Sequence, residues 1–204
     1  MTQWVENPQG GRDRGPRGLL RAWIEVSIRP RRFFENGIAP GDQAPGLIFA
    51  MCVTAVYLGG RLVFAPETLP SFGGSILTAA IVLGVGCVLV APLALHLAAA
   101  IQTLALIPIA DDRAGVSETV QVVGYAVAPC VFVAVPVPAI QLFAAAYGFC
   151  LLVVGLVVVH GISVPRAVLS AVVPGLFVFG LAFGGIGSLE SLLGVELTTD
   201  PAGG

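Results

Sequence analysis

Five apolar stretches fill residues 45–187, and almost all of the charge lies outside them. About 20 consecutive apolar residues carry a helix across the hydrocarbon core of a bilayer, so this pattern constrains the chain more than any motif does. Hydrophobic residues make up 56% of the sequence and charged residues 11%. A water-exposed surface needs more polar cover than that. The fold class that follows is all-α: an integral membrane bundle of five transmembrane helices preceded by an amphipathic interfacial helix. Residues 1–18, rich in Gly and Arg, read as a disordered arm. Residues 19–187 form the five-span membrane domain, and 188–204 a short acidic tail.

The net charge of −2 hides a polarity, because all ten basic residues are Arg and seven of them lie within the first 32 residues. A basic head can bind nucleic acid, but one that precedes a membrane span acts as a topogenic signal, since positive charge is kept on the cytoplasmic side. The reading here is lipid and no nucleic acid. The polar start also lacks the apolar core of a cleavable signal peptide.

From Leu19 the pattern becomes amphipathic, with Leu20, Trp23, Ile24 and Ile28 recurring at helical spacing and Arg21, Glu25 and Arg29 set against them. Pro30 ends or kinks this helix, and Phe33 and Phe34 follow directly behind Arg31 and Arg32. Such a segment suits the headgroup layer, with Trp23, Phe33 and Phe34 as interfacial anchors and the Arg cluster on anionic headgroups. The spans are expected at about 45–65, 75–98 (the helix continuing toward 109), 120–135, 139–159 and 167–187. With the N-terminus inside, the inner segments carry nine Arg and the outer segments none. The chain is therefore expected in the cell membrane, N-terminus cytoplasmic and C-terminus extracytoplasmic. Pro92, Pro129 and Pro174 fall inside spans, which argues for a packed bundle whose neighbours re-satisfy the freed carbonyls.

No catalytic fingerprint is present: no H-E-x-x-H, no G-x-S-x-G, no Walker A and no dinucleotide-binding glycine pattern. No Asp or Glu lies within a span, which removes intramembrane aspartyl chemistry and the usual acidic proton relay. Cys52, Cys87, Cys130 and Cys150 sit in apolar stretches without a C-x-x-C pair, and read as small packing residues. His96 and His160 make a thin ligand set for a metal, so no cofactor is expected. Arg61 is the one intramembrane charge. It either anchors span one at the outer headgroups, near Glu67, or contacts an anion or substrate. The midplane keeps Thr54 and Tyr57. Gly180 and Gly184 form a G-x-x-x-G step, which serves packing within the bundle or a homo-oligomer.

Several stretches then carry a resemblance. Trp23-Ile24-Glu25-Val26 is followed by Arg29-Pro30 and Phe33-Phe34. His96-Leu97-Ala98 ends span two, and Ser117-Glu118-Thr119 leads into Gly124-Tyr125-Ala126-Val127-Ala128-Pro129. His160-Gly161-Ile162-Ser163 precedes Arg166-Ala167. In this order, over residues 19–184, they resemble the Yip-type (Ypt/Rab-interacting protein) domain family in its prokaryotic branch. The resemblance implies a five-span bundle with a cytosolic N-terminus. The Asp-Leu-Tyr/Trp-Gly-Pro type of motif of the eukaryotic members is absent, so their Rab binding is not carried over.

The function expected is a non-enzymatic scaffold or membrane-organising protein acting at its cytosolic face, with a membrane or cytosolic protein as partner beside the lipid. The alternative is a small transporter or channel subunit. The candidate interaction face is Gln121, Tyr125, His160, Arg166 and Arg113, because these come out at the inner span ends. A water-filled cavity reaching Thr54 and Tyr57 favours transport, and a dry bundle favours the scaffold.

Overall fold

The computed structural model describes residues 5–6, 12–13 and 15–195. Most of the arm expected over 1–18, and the tail beyond Val195, lie outside the described residues. Within the arm, β1 (Val5–Glu6) pairs with β2 (Arg12–Asp13) as a two-residue antiparallel ladder lying against the first two helices. Helix α1 covers Gly15–Ile28 and α2 covers Pro30–Gly37. Pro30 breaks the segment in two, as its missing N–H requires.

Five helices are long and apolar enough to cross a membrane. Span one is α3 (Ala44–Phe64). Span two is Ser75–Leu106, with α4 (Ser75–Val85), a π-helical segment Gly86–Val90 and α5 (Ala91–Leu106) in series. Span three is α6 (Val116–Ala126) extended by a 3₁₀ segment Ala128–Ala134. Span four is α7 (Pro138–His160). Span five is α8 (Val164–Gly175) with a π segment Leu176–Ala182. The structure bears out the all-helical, five-span class.

Each intramembrane proline marks a departure from α geometry. Pro92 follows the first π segment, Pro129 opens the 3₁₀ segment and Pro174 precedes the second π segment. A proline removes one ladder donor and pushes the preceding turn aside, and π and 3₁₀ turns absorb that mismatch.

Span three is the axis of the bundle. Its apolar window is 72% buried inside the protein, against 6% for span two. Its mean hydropathy of 1.5 is also the lowest of the five. Thr119, Gln121 and Tyr125 lower it, and polar groups in a membrane helix face protein rather than lipid. Spans one, two and four pack around it. The closest backbone approach joins spans one and three. A Cβ on Gly124 would lie 2.5 Å from the Gly46 carbonyl oxygen, and one on Gly46 would lie 2.5 Å from Gln121 Cα. Small residues allow such contact between membrane helices.

The G-x-x-x-G step of span five does not do this. A Cβ on Gly180 would meet Ile186 of its own connection, and Gly184 has open space around it. Gly184 instead adopts φ +70° and ends the π segment. Helix α9 (Gly185–Leu193) follows and packs on span four, so the boundary expected at 187/188 falls inside a helix. The four cysteines carry free thiols.

Candidate functional site

Of the five residues expected on an inner interaction face, three are buried. Gln121 and Tyr125 are wholly inaccessible and His160 is 5% exposed. Gln121 Oε1 accepts from Ala39 N (2.9 Å), while its Nε2 donates to Ala39 O (2.7 Å). One amide thus clamps both polar groups of one residue in the α2–α3 connection. Glu118, one turn earlier, accepts from Gly41 N at 3.1 Å. Tyr125 sits between Phe33 (centroids 4.7 Å apart) and Phe49 (5.0 Å), both edge-on. His160 Nε2 lies 3.4 Å from Thr119 Oγ1, which itself donates to Gly115 O. These groups join the starts of spans one and three to the end of span four. Only Arg113 and Arg166 of the set are exposed.

The entry segment also departs from its expected placement. Phe33 and Phe34 are 3% and 2% exposed, and Phe34 reaches Gly155 of span four. Trp23 donates through Nε1 to Ala128 O (2.8 Å) and packs on Phe132. Tyr147 of span four donates its hydroxyl to Ser27 O. In chain order, Trp23, Phe33, Ala39 and Gly41 meet Ala128, Tyr125, Gln121 and Glu118. The segment therefore leans antiparallel along span three instead of lying across the bundle's end. Phe33 and Phe34 thus pack against protein, and Trp23 is half-buried along span three. Gly18, Ala22 and Val26 supply the narrow face that lets α1 come close.

What α1 turns outward is Leu20, Ile24 and Ile28, exposed at 58%, 42% and 70%, with Arg17 and Arg21 on the same face. The sequence pattern sets Arg21 against these apolar residues. The helical period permits either reading, because a residue three or four positions away is close in angle to both.

Arg61 is partly buried, and its Nε finds no acceptor among the described residues. It forms no ion pair with Glu67, whereas Arg31 pairs with Glu35 on α2. Exposed His96 turns back on its own helix, with Nδ1 2.7 Å from Pro92 O. Gln141 closes the 135–137 turn by donating to Val133 O and Val135 O (3.1 Å each) and accepts from Ser188 Oγ (2.9 Å). Gln102 of α5 belongs to no motif in the sequence. It is 0% exposed, and both amide atoms lack a partner among the described residues.

A cavity of about 190 Å³ does reach Thr54 and Tyr57, between spans one, two, three and five. Apart from those two hydroxyls its wall is apolar side chain and glycine. Such a wall holds hydrocarbon and not water, which speaks against a hydrated transport path. Among the described residues no group of three His, Cys, Asp or Glu side chains is arranged to hold a metal ion.

No curated protein and no solved structure matches this chain. The family model of the Yip1 domain matches residues 24–186, a range that begins beside Trp23 and ends just past the second π segment. With five candidate spans inside that range and most of the chain covered, the protein is a multi-pass membrane protein that belongs to the Yip1 domain family.

Proposed function

We propose that this chain is a non-enzymatic membrane-organising scaffold of the cell membrane, with its N-terminus in the cytoplasm and its C-terminus outside. The observation that carries the reading is the outward face of α1. Leu20, Ile24 and Ile28 are offered to lipid by a helix that Trp23 and Tyr147 pin to the bundle. Arg17 and Arg21 flank them, with aliphatic stems long enough to reach headgroups. Residues 15–37 hold five Arg against two Glu, so anionic headgroups are favoured over neutral ones. Arg113 and Arg166, exposed at the same end as the Gln121 clamp, are where a protein partner would bind.

The full chain reconstituted in anionic nanodiscs should melt higher than in neutral ones. The difference should shrink as salt rises, since surface attraction is screened over about 8–10 Å at physiological ionic strength. Arg17→Gln/Arg21→Gln should remove this salt-sensitive part of the difference. Equal stability in both lipids at low salt would show that α1 is not lipid-directed. Pull-down in mild detergent, wild type against Arg113→Gln/Arg166→Gln, tests the partner surface: capture that survives the double change refutes it.

A further inference from the structure

A second cavity, of about 250 Å³, lies at the end of the bundle that holds the 135–137 turn. Its polar wall is Arg61, Gln141, Ser188 and Ser191, and no acidic side chain lines it among the described residues. Three features make it a place for negative charge. The Arg61 guanidinium has no counter-ion among the described residues, and its Nε is shielded from solvent. An uncompensated cation at membrane depth is costly and seeks an anion. Gly184 and Gly187, at the start of α9, also line the cavity, and α9 has no side-chain cap. Its first N–H groups therefore add their partial positive charge to that of Arg61. Gln141 is occupied by the turn carbonyls and Ser188, so it holds the wall in place and is not free to neutralise Arg61.

The polar cavity shares two wall residues, Tyr57 and Phe183, with the apolar cavity that reaches Thr54. Their rings stand edge-on with centroids 5.3 Å apart. Beyond this pair the wall changes from charged and hydroxyl-bearing to aliphatic. Both π segments, which recur at functional sites, border the apolar side through Gly86 and Val90 on span two and Phe177, Val178 and Ala182 on span five. Val90 and Ala182 are exposed, so this cavity opens sideways to the bilayer between spans two and five. Its volume exceeds the roughly 150 Å³ of a dry apolar cavity that accommodates benzene.

We propose that the two cavities form one site for a membrane lipid with an anionic phosphate headgroup. The phosphate sits against Arg61 and the first turn of α9, and an acyl chain passes Tyr57 and Phe183 into the space beside Thr54. An anion alone would leave the apolar half empty, and a zwitterionic lipid would bring a second cation beside Arg61 together with its phosphate.

The test uses the full chain in neutral detergent, given phosphatidylglycerol or phosphatidylcholine with identical chains. Native mass spectrometry reads retained lipid, and thermal melting reads stabilisation. Wild type should retain phosphatidylglycerol in preference by about tenfold, because the choline cation of the other lipid partly offsets its own phosphate beside Arg61. Arg61→Gln should abolish the preference, and Arg61→Lys, which keeps the charge without the planar fork, should keep part of it. Ala94→Phe, which fills the apolar cavity, should abolish retention while the protein still melts cooperatively. Arg17→Gln/Arg21→Gln should leave retention intact, which separates this site from the surface proposed on α1. Inorganic phosphate should give no stabilisation. The proposal is overturned if Arg61→Gln or Ala94→Phe retains the preference, or if inorganic phosphate stabilises as well as the lipid does.

Discussion

Replacing Gln121 with Leu keeps nearly the same volume and removes a buried amide that grips Ala39 on both its polar groups. Two hydrogen bonds of 2.9 and 2.7 Å are lost. A third contact, to Ser117 O at 3.4 Å, is too long to count for much. Each good bond contributes about 1 kcal/mol net, and a partner left buried without one costs about 1–3 kcal/mol. Ala39 is only half-buried, so water replaces part of the loss and the total is about 2–3 kcal/mol. For a chain of this size that corresponds to a fall in Tm of roughly 4–12 °C. Melting of the purified full chain in one fixed detergent measures it. Arg113→Gln, an exposed change, should shift Tm by less than about 2 °C. A Tm unchanged in Gln121→Leu would refute the clamp. If partner capture were lost at unchanged Tm, Gln121 would be a contact residue after all.

Gly124→Ala should destabilise by about 1–3 kcal/mol, because the new methyl meets the Gly46 carbonyl and backbone cannot easily yield; chemical unfolding in micelles reads the change, and a neutral result would mean spans one and three separate at little cost. Trp23→Phe should cost about 1 kcal/mol through the lost bond to Ala128 O, and should loosen α1 in hydrogen exchange before it affects span three. Single cysteines at Ser71 and Gly115, in a background without the four native ones, should label from opposite sides of the membrane. Labelling from the same side would sink the five-span count, and labelling of Ser71 from the cytoplasmic side would sink the orientation proposed here.

The sequence by itself determined the class, the number of spans and the family. Runs of apolar residues are read by lipid one helix at a time, so span count needs no knowledge of what touches what. Observed starts agree closely for spans one, two and four; span three begins four residues early, at Val116, because its first turn is polar and is screened by protein. The ends were legible where glycine or proline sets them, as at Gly161 and Pro138. Which way each polar or aromatic side chain faces was decided only in the tertiary structure. Tyr125, Phe33 and Phe34 have the composition of an interfacial cluster, yet they meet one another inside the bundle. Their burial depends on the 38–43 chain folding back so that Gln121 can hold Ala39, a contact between residues 82 apart. Arg61 lies in a sequence of aliphatic neighbours. Its cavity arises only because Gly184 turns left-handed and brings α9 and Ser188 across from span five to Gln141. Hydropathy is a local sum along the chain, whereas a site is a coincidence of distant residues, and packing alone brings those together.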